Sequence, residues 1–311
     1  MSYRILTDED VNARRTFAIH RAIDAVVQAL MAKATGNLVA PPRFSVHVDQ
    51  GALVFTAGAE TQYTHTLGFR VYDTFPENTP EHTQLVAVFD ARTGRFKGLV
   101  LGNILGAIRT AAINAIALKH MARPDVTSLG ILGTGFQARF HLRAAMAVHS
   151  FKRVIAYSPT PAHRNAFAKA MAREIEVPIR SASSAEEVVR EAEVLILATT
   201  SRSPVFDPRW LQPGTHINTI GPKFKEAHEL PMAVAQEAET IVTDSLAQVD
   251  AYARPFFLAD TPDRERMVEL CDVVVGHQAG RLSREGLTLF CSVGLAGTEV
   301  VVADALLADT A

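Results

Sequence analysis

SLGILGTGFQA, residues 128–138, reads as a short apolar strand running through a glycine turn into a helix. The turn, Gly133-Thr134-Gly135-Phe136-Gln137-Ala138, has G-x-G-x-x-A spacing. Glycines at those places permit a tight turn and a close approach of backbone to a pyrophosphate. The unpaired N–H groups at the start of the helix, together with its dipole, then meet the negative charge. Such a motif is weak alone, and its strand-before, helix-after context is what makes it a dinucleotide-binding fingerprint.

Working outward, the alternation continues. A helix is predicted from Phe136 to His149, then the strand RVIAYS (153–158), a helix from Pro161 to Ile175, and the strand VLILATT (194–200). Consecutive βα units with near-continuous apolar strands predict a parallel sheet covered on both faces. THINTIG, TIVTD and VVVG are expected to extend it as further strands. Upstream, apolar positions Phe17, Ile19, Ile23, Val26, Val27 and Leu30 recur at helical spacing within a predicted helix from Val11 to Ala34. Pro41 and Pro42 close that helical region, and from Phe44 to Leu101 short strand-like runs, with turns at Asp49-Gln50-Gly51 and Arg92-Thr93-Gly94, predict an antiparallel meander. A helix over Asn103 to Met121 follows, broken at Arg123-Pro124-Asp125. The expected fold class is α/β: a Rossmann-type, doubly wound parallel sheet plus an α+β domain, which the family resemblance set out below makes the substrate and dimerisation domain. The expected boundaries are 1–122 with a closing helix at about 296–311 for the α+β domain, and 123–295 for the Rossmann domain.

Bulk properties narrow the function. The chain has 311 residues, with 48% hydrophobic and 21% charged, enough apolar surface for a sizeable core without metals or disulfides. A formal charge of -2 offers no footprint for nucleic acid or an anionic membrane, which favours small-molecule partners. Two cysteines, Cys271 and Cys291, and an N-terminus without an apolar core point to a reducing, cytoplasmic setting. Eleven histidines form no H-x-x-x-H or H-E-x-x-H pair, so no metal site is expected, and His141 and His149 read as helix surface residues. Phe256-Phe257 reads as a packing plug.

The second strand ends in Ala156-Tyr157-Ser158-Pro159-Thr160, without the carboxylate that would hold an NAD ribose. Ser158, Thr160 and Arg164 can instead hydrogen-bond a 2′-phosphate, which favours NADP(H) while leaving NAD(H) and dual specificity open. Three arginines stand out in the first domain: Arg43, Arg70 and Arg109. Singly each reads as a surface charge. Converging, their planar forks would grip a carboxylate.

In order along the chain, APPR (40–43), GFRVYDTF (68–75), RTAAINAIALKH (109–120), LGTGFQARFHLRA (132–144), ATTSRSPVF (198–206), PGTHINTIG (213–221) and the closing GLAGTEVVVADAL resemble the ornithine cyclodeaminase and mu-crystallin family. The resemblance implies a homodimer and NAD(P)-linked chemistry at a carbon bearing an amine or imine. It assigns the substrate carboxylate to Arg43 and Arg109, puts Arg70 where a lysine is usual, and gives the pyrophosphate to Gly133–Gln137. Thr199, Thr200 and Ser201 would lie beside the cofactor, and Val293 and Gly294 near the nicotinamide. Lys223 falls where ornithine cyclodeaminases carry an aspartate, and a lysine there would repel ornithine's ammonium. The expected activity is reduction of a small imino acid, with Arg43, Arg70 and Arg109 binding substrate, and Lys223 and Arg70 as catalytic candidates. His228 or Glu229 would take the role of Lys223 if the alignment slips. Ornithine cyclisation and non-catalytic ligand binding are the alternatives.

Overall fold

The computed structural model describes residues 3–76 and 83–308 and divides into two compact units, 1–112 with 294–311, and 113–293. Residues 1–2, 77–82 and 309–311, which fall within the domain ranges expected above, lie outside the described residues.

The first unit opens with β1 (Arg4–Leu6), α1 (Asp8–Ala13) and α2 (Arg15–Ala34). Thr7 starts α1 through a capping box, its main-chain N–H donating to Asp10 at 2.8 Å and its hydroxyl accepting from the Asp10 N–H at 3.5 Å. The single helix expected from Val11 is therefore two, separated at Arg14. The buried stripe of α2 is Ala18, Ala22, Ala25, Val26, Ala29 and Leu30, whereas Phe17 is exposed. Small residues face inward because the closing helix, Thr298–Ala308, packs directly against α2. β2 (Leu38–Val39), β3 (Phe44–Val48), β4 (Gly51–Glu60), β5 (Thr66–Asp73), β6 (Leu85–Asp90) and β7 (Phe96–Leu101) complete a sheet ordered β1-β7-β6-β5-β4-β2, with β3 also paired to β4. Its pairs are antiparallel except β1 with β7.

The helix α3 (Ile104–Met121) carries the chain into the second unit, so the division falls inside it, between residues 112 and 113, and not at the Arg123-Pro124-Asp125 break. One unbroken run of helix formers spans the join, and the proline that marks the sequence break only follows its end. Then come β8 (Ser128–Leu132), α4 (Phe136–Val148), β9 (Arg153–Tyr157), α5 (Pro161–Ile175), β10 (Ile179–Ser181), α6 (Ala185–Glu191), β11 (Val194–Leu197) and β12 (His216–Thr219). They are followed by the β13 (Lys223–Phe224) and β14 (Ala227–His228) hairpin, α7 (Met232–Glu237), β15 (Ala238–Thr243), α8 (Leu246–Asp250), α9 (Pro262–Glu265), β16 (Met267–Glu269), α10 (Leu270–Val274) and β17 (Leu287–Cys291). The sheet, ordered β10-β9-β8-β11-β12-β17-β15-β16, is parallel throughout.

Alternation along the central strands builds two cores. Leu129, Ile131, Val154, Val194 and Ile196 pack with Phe167 and Met171 on one face; Leu195, Leu197, Ile155 and Ile217 pack with Val188 and Leu230 on the other. Both Phe256 and Phe257 are buried in the second core. VVVG forms no strand: residues 270–274 are helical, and the carbonyl of Asp272 accepts from the N–H groups of His277 and Gln278 around Gly276 at φ 81°. Three β-branched residues suit a strand, but Met267–Glu269 already takes the place beside β15. Among the described residues no helix is long and apolar enough to cross a membrane.

Candidate active site

The strand order of the second unit reverses between β8 and β11, and crevices at the carboxyl ends of such strands are where ligands bind. A cleft of about 600 Å³ opens there. Its floor is the turn Gly133, Thr134 and Gly135; one wall is Tyr157 to Thr160 with His163, and the other is Ala198 to Ser201. Gly133 has φ 100°, and a Cβ on it would stand 2.2 Å from the carbonyl oxygen of Ala198, so only glycine fits. Above Gly135 no atom lies within 4 Å of where a Cβ would be, which leaves open room for a phosphate against the backbone. The residues present fit a dinucleotide.

At the far wall Thr134 donates its hydroxyl hydrogen bond to Ser158 at 2.9 Å, coupling the turn to the end of β9. Thr160 is the residue before α5, and its side chain makes no cap hydrogen bond to the helix. Arg164 is not on the cleft wall: it donates to the carbonyls of Ser158 and Pro159 at 2.9 and 3.2 Å and lies over the Tyr157 ring. Its role in the fold is to hold the end of β9. His163, which the sequence reading passed over, lines the cleft because it projects from the first turn of α5. Phe136 and Gln137 head α4 without lining the cleft.

The opposite wall hangs on Glu229, which is fully buried. Its Oε2 accepts from the N–H and hydroxyl of Thr199 at 2.9 and 2.7 Å. Its Oε1 accepts from the hydroxyl of Thr219 and the N–H groups of Ile220 and Gly221 at 2.8, 3.1 and 2.6 Å. Ser201 in turn donates its N–H to the Thr199 hydroxyl at 3.1 Å. Thr200 lies on the wall between them. Both carboxylate oxygens of Glu229 are thus engaged by these five donors. His228 stacks on Phe257 and bonds the Leu230 carbonyl at 2.7 Å. Lys223 is buried, and its Nζ donates to the Gly221 carbonyl at 2.6 Å. The Val293 N–H donates to Asp244 at 2.7 Å. Lys223 and Val293 do not line the cleft.

In the first unit the arginines do converge. Gly294 has φ 92°, and a Cβ there would lie 3.5 Å from Arg109 NH1 and 3.6 Å from Arg43 NH2. Arg109 bonds Glu299 Oε1 through NH2 at 2.5 Å, while its buried Nε and NH1 have no hydrogen-bond partner. A planar guanidinium with two donors unmatched has the geometry to donate to both oxygens of a carboxylate. Arg43 donates to the Tyr72 hydroxyl at 3.3 Å. Arg70 is occupied: its Nε donates to Gln84 Oε1 at 3.1 Å, NH2 bonds the same oxygen, NH1 reaches Glu299 at 3.4 Å, and its guanidinium lies 4.5 Å from the Tyr72 ring centre. Burial and the neighbouring Arg109 push Arg70 below the usual arginine range, against the pull of Glu299. Glu299, Tyr72 and Gln84 were not singled out from sequence; the one signal was an acid inside the apolar run TEVVVADAL.

His141 is not a surface residue: it is 2% exposed, with Nδ1 on the Gln137 carbonyl at 2.9 Å, whereas His149 is half-buried and bonds the Val126 carbonyl at 2.7 Å. Helix position alone does not show which face α4 buries. Among the described residues no cluster of His, Cys, Asp or Glu could hold a metal ion.

Residues 2–309 match the model of the ornithine cyclodeaminase/mu-crystallin family. The chain belongs to that family. It is 30% identical over 304 residues to the Delta(1)-pyrroline-2-carboxylate reductase of Bacillus cereus, covering 93% of this chain and 92% of that one. It is 32% identical over 295 residues to the iminosuccinate reductase of Paracoccus denitrificans, covering 93% and 90%. The solved structure of Thermococcus litoralis Delta(1)-pyrroline-2-carboxylate reductase with NADH and L-proline superposes with a TM-score of 0.88 at 27% identity, over 98% of this chain and 97% of that one.

Proposed function

We propose that this protein is an NAD(P)H-dependent imino-acid reductase whose substrate is a small imine carrying one carboxylate. The observation that carries the reading is the convergence of Arg43 and Arg109 beside Gly294, with two buried donors of Arg109 unmatched. When bound, the cofactor supplies hydride for the α-carbon. Arg43 and Arg109 bind the carboxylate and fix the imine's orientation. Lys223, held by the Gly221 carbonyl, delivers the proton that the reduced nitrogen needs. Arg70 supports this arrangement from behind: with Gln84 and Glu299 occupying its donors, it stiffens the arginine cluster and does not offer a second substrate carboxylate the open fork that Arg109 offers the first. That favours a cyclic imine such as Δ1-pyrroline-2-carboxylate over iminosuccinate. A lysine in place of aspartate disfavours ornithine cyclisation.

NADP(H) is favoured by the end of β9, where Ser158, Thr160 and His163 offer donors and no carboxylate to repel a 2′-phosphate. The apolar side chains exposed on β3 favour a homodimer, and the low cysteine content, two residues in 311 and both buried, suits a cytoplasmic setting. The test is oxidation of NADPH and NADH by purified protein against cyclic and acyclic imino acids, with ornithine plus NAD assayed for ammonia. Turnover on a cyclic imine, with NADPH ahead of NADH, is the expected result. Ammonia release from ornithine, or tight cofactor binding with no turnover on any imine, would sink it.

A further inference from the structure

Glu229 sits at the meeting point of three things the reaction needs. Through Oε2 it holds the main chain and hydroxyl of Thr199, the start of the cleft wall after β11. Through Oε1 it holds Thr219, Ile220 and Gly221, the crest of β12. Gly221 gives its N–H to Glu229 and its carbonyl oxygen, in the following peptide group, to Lys223 Nζ, each at 2.6 Å. One fully buried carboxylate is thus linked to the lysine through a single residue and to the cleft wall through a single hydrogen bond.

A carboxylate suits this place because it only accepts. Five donors converge on it, three of them main-chain N–H groups that cannot turn away. An isosteric amide would set an NH₂ group against at least one of those N–H groups, and without water in reach the loop itself must shift. We propose that Glu229 is a positioning residue that sets the cofactor wall and the place of Lys223 together, so that cofactor affinity and proton delivery depend on one buried carboxylate. The proton-delivery half rests on the function proposed above; the cofactor half does not.

The test separates them. NADPH affinity of the substrate-free protein is measured by nucleotide fluorescence for wild type, Glu229→Gln, Thr219→Val and Lys223→Ala, alongside thermal stability and kcat. Glu229→Gln is expected to weaken NADPH about tenfold, the loss of roughly one charge-assisted hydrogen bond. Thr219→Val, which removes one donor to Glu229 outside the cleft, is expected to weaken NADPH about threefold and serves if the first variant does not fold. Lys223→Ala should lower kcat with NADPH affinity unchanged, and adding Glu229→Gln to it should lower kcat no further. NADPH affinities of Glu229→Gln and Thr219→Val that match wild type while stability falls would overturn the proposal and leave Glu229 a purely structural residue. Unchanged kcat in Lys223→Ala would instead remove the lysine from the reaction without touching the affinity result.

Discussion

Arg109 is a buried cation matched by one buried anion. Its NH2 is 2.5 Å from Glu299, and the side chains are 5% and 2% exposed. Its Nε and NH1 have no hydrogen-bond partner among the described residues. Lysine offers a point charge and cannot serve both partners, so Arg109→Lys is expected to lower kcat/KM about a hundredfold, most of it in KM. Arg109→Met should cost stability as well, about 3 kcal/mol in denaturant unfolding, because Glu299 keeps only the longer Arg70 contact at 3.4 Å. At Gly294 the same geometry works in reverse. Gly294→Ala would place a methyl between Arg43 and Arg109 at a φ of 92°, so KM for the imine should rise at least tenfold with NADPH affinity unchanged. A KM within twofold of wild type would show that the substrate does not use this space.

At the level of elements, the β8–α4 turn separates a glycine required by the fold from one required by the ligand. Gly133 touches the end of β11, where an added Cβ meets the Ala198 carbonyl at 2.2 Å; Gly135 faces open space. Gly133→Ala is therefore expected to unfold or strongly destabilise the protein. Gly135→Val should leave the melting temperature within a few degrees and weaken NADPH about tenfold or more, read by fluorescence titration. Equal loss of stability in both variants would refute the distinction. The helices follow the same logic: α4 begins where the glycine turn releases it, and the inward face of α2 is mostly alanine, with Ile19, Val26 and Leu30 among it, because the closing helix needs a close approach.

For the whole molecule, two histidines govern behaviour in mild acid. Burial lowers His141 to about 4 and His216 to about 3, so both are neutral when folded and protonate on unfolding near the usual 6.5. Their contribution is complete above pH 6.5 and is lost as pH falls toward 4 and 3. Between pH 7.5 and 5.5 unfolding free energy should drop by about 2 to 3 kcal/mol, the expectation for two extra protons taken up by the unfolded chain. A flat profile over that window would mean the imidazoles gain charge in the folded state. Phe44, Val46 and Val48 on β3 are 59%, 55% and 60% exposed, a patch of the kind that pairs with another copy. Light scattering is expected to give twice the mass of the 33.8 kDa chain, and Val46→Glu to return it to the monomer. A monomeric wild type would remove the patch from that role.

What the residues determined unaided was whatever depends on local pattern. The near-continuous apolar strands, the glycine turn and the helical runs between them are set by neighbours in the chain, so β8, α4, β9, α5 and β11 were all legible at nearly their observed limits. The arginines were legible as residue types able to bind a carboxylate. Their convergence was not, because Arg70 and Arg109 meet Glu299, and Arg43 comes up to Gly294, only after a sheet and a helix bring distant positions together. The same holds for Glu229, visible only as a neighbour of Lys223, and for His141, whose helical position says nothing of which face is covered. VVVG became helix because another segment took its place at the sheet edge. Burial and hydrogen-bond partnership are properties of the packed molecule, decided by which distant surfaces exclude water together, and only the tertiary structure carries them.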